Sequence, residues 1–362
     1  MQLSTRNVAH FLIERCLLDR DSLVNEKLVI ADVSRRHRNL KVLRENAPGF
    51  FVKQTMHWDA QSIGFLKHEA ACYWLAQNDR AFAPLAGLIP NFRGYDANSN
   101  ALIVDLLPGA ENLSEYHLRV RTFPLDVASM LGQALGRYHR HKIEPGNAVG
   151  TTFPKATPWI LSFHEAKEFT AAAIGPANTH MLTILQRYPE FVELLTELRS
   201  QWRIDSLIHG DIKWDNCMLY ESDGTRKIVI VDWELADQGD AAWDVGAVFQ
   251  AYLLTWLGSM PDGSPASAQQ LVESAGIQLE TMQPAIGAFW NAYVTEARFD
   301  TSTERERLDR SLRYGAARLI QTAYEYLNNM PQLTAAVIRL LQVSFNILSN
   351  PDEARCDLLG LS

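Results

Sequence analysis

Two hydrophobic rhythms alternate along the 362-residue chain. Val8, Phe11, Leu12 and Leu18 recur at roughly helical spacing, which predicts a helix over 5–18. Three short apolar runs follow, LVIADVS at 28–34, NLKVLREN at 39–46 and GFFVKQT at 49–55, with turn residues between them. Runs of this kind predict strands. QSIGFLKHEAACYWLA at 61–76 returns to helical spacing, and LAGLIPNFRGYD and NALIVDLL, joined by DANSN, predict two more strands. Residues 28–107 therefore predict a five-stranded antiparallel sheet carrying one helix.

The stretch LLPGAENL at 106–113 carries Pro and Gly and reads as a hinge. Beyond it DVASMLGQALGRYHRHK at 126–142 is helical, as is most of 162–203. The segment 207–234 returns to short strands (LIH, NCMLY, KIVIVD), and 241–360 is dominated by helical periodicity. The expected fold class is α+β in two lobes. Residues 1–107 form a small sheet lobe, and 108–362 form a large, mainly helical lobe with a short β insertion.

Composition narrows the function. Apolar residues make up 47% and charged residues 21%, ordinary for a folded soluble chain. A net charge of −8 argues against a nucleic-acid-binding body, though it leaves room for one local phosphate site. Cys16, Cys72, Cys217 and Cys356 lie far apart without CxxC spacing, so neither a zinc site nor a disulfide framework is expected. Reduced thiols in a cytoplasmic protein fit that pattern. The first twenty residues lack the order of a signal peptide. The longest apolar stretch, VGAVFQAYLLTWLG at 245–258, is interrupted by Gln250 and Thr255. It is too short to cross a bilayer comfortably and reads as a buried helix. No nucleic-acid or membrane partner is expected.

The chemistry concentrates at LIHGDIKWDNCML, 207–219. If Asp211 and Asn216 share one loop between two short strands, a carboxylate and a carboxamide oxygen can converge on one point. Such oxygens are what Mg²⁺ prefers. The next apolar strand, KIVIVDWE, ends in Asp232. Asn216 and Asp232 could then hold Mg²⁺, leaving Asp211 to accept a proton from an incoming hydroxyl. Lys213, two residues on, is placed to meet a transferring phosphoryl oxygen. The plain alternative is a polar turn whose Asp and Asn bond only the backbone.

The segment resembles the catalytic core of the aminoglycoside phosphotransferase and choline kinase branch of the protein-kinase-like fold. His209-Gly210-Asp211 with Asn216, then Asp232-Trp233-Glu234, then GDAAWD at 239–244 follow that branch's pattern in order. Upstream, Phe51-Val52-Lys53 resembles its third-strand lysine, Glu69 its helix glutamate, VDLLPGAENL its hinge and LGQALGRYHRH its following helix. The matches span roughly 28–250. The resemblance implies a kinase using ATP, with GTP left open, and Mg²⁺. In it Lys53 touches the α- and β-phosphates and Glu69 holds Lys53 by an ion pair. The backbone of Asp105 to Leu107 bonds the purine edge. Asp211 is the base, Asn216 and Asp232 ligate Mg²⁺, and Asp244 braces the catalytic loop. His209 reads as structural, and His139 and His141, two apart on a helix, do not form a metal pair.

Two departures stand out. The loop between the first two strands reads VSRRHRNLKV, with no glycine between Ala31 and Gly49. Arg35, Arg36, His37 and Arg38 could replace phosphate-cradling glycines by charge, or form a solvated basic hairpin. Lys213 is more like the protein kinases, which keeps a peptide serine or threonine open as acceptor beside a small molecule. A non-catalytic nucleotide-binding scaffold is the third reading. Glu296, Asp300, Glu304 and Glu325 are scattered candidates for a cationic acceptor, and Trp290, Tyr293, Tyr314 and Tyr324 read as core.

Overall fold

The alternating runs near the N-terminus pair as an antiparallel sheet in the computed structural model, which describes residues 1–25, 27–140, 153–166, 174–261 and 267–361. His141 and parts of the helical stretches expected at 126–142 and 162–203 lie outside the described residues, as do residues 262–266 of the expected helical stretch 241–360. The strands are β1 (Leu28–Asp32), β2 (Arg38–Arg44), β3 (Phe50–Gln54), β4 (Phe92–Asp96), β5 (Ala101–Asp105), β6 (Glu111–Asn112), β7 (Ser206–Ile208), β8 (Cys217–Ser222), β9 (Thr225–Ile230) and β10 (Asp237–Gly239). The helices used below are α1 (Val8–Glu14), α2 (Ala60–Asn78), α3 (Leu125–His139), α4 (Pro176–Arg187), α5 (Pro189–Ser200), α6 (Ala242–Gly258), α7 (Gln283–Ala297), α8 (Thr301–Tyr326) and α9 (Ala335–Ser349).

These elements form two units, Met1–Tyr116 with Asp215–Ala236, and His117–Trp214 with Asp237–Ser362. The first unit holds the five-stranded sheet in the order β1-β2-β3-β5-β4. Strand alternation gives it two working faces. Leu40, Val42, Phe50, Val52, Ala101 and Ile103 pack against Leu3, Val8, Phe11 and Leu12 of the N-terminal segment. Gln54 ties that segment down: its side chain accepts from Leu3 N and donates to Met1 O. On the opposite face Lys53 turns toward α2, which is preceded by Asp59, whose side chain caps the Ser62 amide.

The segment 215–236 joins this first unit, where the sequence pattern placed it in the second lobe. The reason is hydrogen bonding. β8 pairs both β6 and β9, and Ile230 N donates to Leu88 O. Local propensity gave no sign of the two-residue β6 or of β10.

The second unit is mainly helical. α6 is buried on nearly every side, so it runs through the interior. No helix among the described residues is long and apolar enough to cross a membrane. Glycines set its closest packing. A Cβ on Gly246 would lie 2.5 Å from Ser311 O and 2.7 Å from Gly315 N, so α6 and α8 touch backbone to backbone. Gly132 and Gly136 do the same for α3 against α7.

Gly246→Ala is expected to cost about 1–3 kcal/mol through overpacking, because its neighbours are backbone atoms that cannot swing away. Gly287→Ala, in α7 with open space around it, is expected to be neutral or to stabilise by up to about 1 kcal/mol. Urea unfolding of both variants checks this, and equal midpoints would refute the close approach.

Candidate active site

In the first unit the buried Lys53 ammonium is the centre of a cluster of charges. Its Nζ donates to Glu69 Oε2 at 2.7 Å and to Asp232 Oδ1 at 2.5 Å, and Glu234 Oε2 lies 3.8 Å away. Burial pulls the Lys53 pKa down, but Glu69 first, then Asp232 and Glu234, push it well above the ordinary lysine value. Glu69 is held above the usual carboxylate range because burial outweighs the pull of Lys53.

The neighbours of Glu69 fix its place. His68 Nε2 is 2.7 Å from Ala236 O, and Cys72 Sγ donates weakly to Trp233 O at 3.9 Å. These contacts seat α2 on the 233–235 turn, whose Trp233 is fully buried and donates Nε1 to Ile230 O. Asp232 leaves β9 in the left-handed region at φ 68°, a conformation an aspartate adopts more readily than most residues. Asn216 precedes β8 and Asp232 follows β9, and Val231 N donates to Asn216 O, so both sit at the same end of the hairpin.

Glu69, Asp232 and Glu234 each place an oxygen within 4.8 Å of the others. Hard oxygen donors suit Mg²⁺. Three carboxylates around one lysine also leave a negative excess in a largely buried place, which a divalent cation would offset. The donor set therefore fits such an ion. The sequence pattern assigns Glu234 no role; its position two residues after Asp232 is the signal that marks it.

The glycine-free loop folds toward these carboxylates. Val33 N donates to Asn39 O, and Arg35 N donates to His37 O, closing the turn. Arg36 Nη1 then reaches Glu234 Oε1 at 3.4 Å, and His37 Nε2 lies 3.2 Å from Glu234 Oε2. At the end of β5 the Asp105 carboxylate is bound by Arg93, and the Asp105 and Leu106 amides donate to Asn91 O and Gly49 O. The Leu107 amide has no such backbone acceptor among the described residues.

In the second unit His209–Ile212 form a tight bend with Gly210 at φ 81°. Buried Asp244 accepts from His209 N at 2.7 Å and Gly210 N at 3.0 Å, and from Tyr138 Oη at 2.8 Å. Burial would raise the Asp244 pKa, but its hydrogen bond to His139 and the nearby His209 hold it below the usual value. His209 is fully buried, and its Nδ1 accepts from Asp211 N at 3.2 Å. The Asp211 carboxylate keeps partial exposure, and Lys213 Nζ donates to its Oδ2 at 2.6 Å.

Two groups escaped the sequence reading. Asp240, fully buried, accepts from Arg307, Arg310 and Tyr314, all on α8. Arg318, one helical turn further, donates to Gly210 O and Ile212 O. Nothing in local spacing marks either, because their partners lie roughly seventy to a hundred residues away in sequence. Three of the scattered acidic candidates have partners of their own: Asp300 caps α8, Glu296 pairs with Arg140 and Glu325 accepts from Gln321. Trp290, Tyr293 and Tyr314 are core, and half-buried Tyr324 packs on Trp159 and Phe163.

The model of a family described as the phosphotransferase enzyme family matches residues 69–285. Among solved structures, a Thermobifida fusca protein provisionally assigned as a fructosamine-3-kinase is similar at a TM-score of 0.55 and 16% identity, over 96% of this chain and 99% of its own. A choline kinase of Cryptosporidium parvum gives 0.53 at 11% identity over 98% and 97%, and one of Streptococcus pneumoniae gives 0.52 at 13% over 93% and 99%. At these identities the likeness establishes the protein-kinase-like fold. No curated protein matches the chain.

Lys53→Met is expected to lose about 3–5 kcal/mol at pH 8, since it strands buried carboxylates. The Glu69 carboxyl is already raised by burial and rises further without the lysine. The deficit should therefore shrink as the pH falls through that raised value and Glu69 takes up a proton. Melting curves of native and variant protein from pH 8 to pH 5 check the sign; a deficit that grows on acidification would refute the charge cluster.

Proposed function

The chain belongs to the phosphotransferase enzyme family, and from that premise we propose that it moves the γ-phosphoryl group of ATP to a hydroxyl of a small molecule with the help of Mg²⁺. The observation that carries this reading is the buried Lys53 set among Glu69, Asp232 and Glu234. A cation held in that way meets the α- and β-phosphates without having to be reoriented. The Asp105 carbonyl and Leu107 amide take the purine edge, which leaves GTP open as a second donor. Asn216 and Asp232, with Glu234 beside them, would hold Mg²⁺, which when bound neutralises phosphate charge.

Asp211 orients the acceptor hydroxyl and accepts its proton as the oxygen bonds to the γ-phosphorus. The bond to the β–γ bridging oxygen breaks, and its electron pair leaves with the nucleoside diphosphate. Lys213, already on Asp211 Oδ2, meets the transferring phosphoryl oxygens. Catalysis then rests on positioning and charge stabilisation. The same lysine supports a second reading, in which the acceptor is a serine or threonine hydroxyl of a peptide. We place the protein in the cytoplasm, where four cysteines outside any disulfide would stay reduced.

An amino alcohol, a sugar or an antibiotic-like compound is the acceptor class we favour. ADP formation should be screened with choline, fructosamines, aminoglycosides and serine/threonine peptides. Asp211→Asn is expected to lose transfer by about 100-fold or more while keeping the rise in melting temperature given by millimolar ATP and Mg²⁺. Transfer at the native rate in that variant would remove Asp211 as base. Absence of any melting shift in the native protein would favour the non-catalytic scaffold.

A further inference from the structure

The bend that carries Asp211 is held from two sides by opposite chemistry. Asp244 on α6 takes its amides. From α8, the Arg318 guanidinium takes its carbonyls: Nη1 donates to Gly210 O and Nη2 to Ile212 O, each at 3.3 Å. Those are the two carbonyls flanking Asp211 in sequence. The same Nη2 lies 3.6 Å from Asp211 Oδ1, on the opposite oxygen from Lys213.

Arg318 is itself firmly placed. Only 4% of it is exposed. Its Nε donates to Gln250 Oε1 at 3.1 Å, and Gln250 Nε2 donates back to Arg318 O and to Thr322 Oγ1. The Trp243 ring lies under the guanidinium at 5.0 Å, and Trp243 Nε1 donates to the same Gly210 O. The backbone contact of Gly246 with Gly315 comes three residues before Arg318, on the same helical face. A buried guanidinium requires oxygen partners and a counter-charge. Here the peptide carbonyls supply the first and Asp211 the second.

We propose that Arg318 is a positioning residue for Asp211. It fixes the Gly210–Asp211 and Ile212–Lys213 peptide groups and anchors Oδ1, so that the carboxylate presents Oδ2 to Lys213 and the acceptor in one orientation. The planar fork matters as much as the charge, because one side chain must serve two carbonyls and a carboxylate at once. The proposal rests on the reading of Asp211 as the base.

The test compares native protein, Arg318→Met, Arg318→Lys, Asp211→Asn and the Asp211→Asn/Arg318→Met double variant. ADP formation from ATP and Mg²⁺ is followed with choline as acceptor, and with water where choline does not exceed it. Arg318→Met is expected to lower kcat about 100-fold, the scale of an ångström of misplacement, with KM for ATP and the ATP-induced melting shift within about twofold of native. Arg318→Lys, which keeps the charge and part of the bonding, should recover about a tenth or more of the native kcat. In the double variant, loss of Arg318 should add little to the loss from Asp211→Asn, because both act through one carboxylate.

A native kcat in Arg318→Met, with Asp211→Asn slow, overturns the role of Arg318 and leaves Asp211 standing. A native rate in Asp211→Asn overturns the base itself. If Arg318→Met and Arg318→Lys weaken ATP binding and kcat by the same factor, or the two losses multiply in full, Arg318 serves only the fold and the proposal fails.

Discussion

A buried ammonium with more carboxylates around it than it can neutralise is the constraint from which the first unit follows. Lys53 can stay charged beneath the surface only because Glu69 and Asp232 accept from it and Glu234 stands near. To bring those groups to one lysine, the chain must lay α2 on one face of the sheet and return more than 150 residues later with the β8–β9 hairpin and the Trp233 turn. The membership of 215–236 in this unit is the structural cost of that arrangement. The remaining charge imbalance is what a metal–nucleotide pair could offset.

The second unit solves a related problem with the signs exchanged. α8 brings Arg307, Arg310 and Arg318 into the interior, and each meets oxygen that the preceding segments supply: Asp205 and Asp240 for the first two, peptide carbonyls and Asp211 for the third. Breaking one member of such a network leaves a buried partner unsatisfied, which costs far more than the intact pair contributes. The loop that carries Asp211 thereby inherits the rigidity of two helices rather than the mobility of a surface turn.

What the sequence made legible was the family pattern and the fold, both carried by local spacing. His209 to Asn216, Asp232 to Glu234 and the third-strand lysine could be recognised because their spacing lies within one strand or bend, and the five-stranded sheet because its alternation is local. Arg318, Asp240 and the glycine contacts could not be read that way. An arginine in LRYGAARLIQ looks like any solvated helix residue until Gly246 and Gly315 are seen to touch, and that contact spans almost seventy residues. The expected boundary after residue 107 likewise missed β6 pairing with β8, since a two-residue strand has no periodicity to detect.

The bare Gly246–Gly315 contact gives α8 a fulcrum with no cushioning side chains. A tilt of that helix would meet backbone at this point, and Arg318 lies only three residues beyond Gly315. Residues along α8, far in sequence from every recognisable motif, thus share one helix with the side chain that bonds Gly210 O and Ile212 O. Libraries built to probe that coupling would do well to sample the whole length of this helix, not only the residues nearest Arg318.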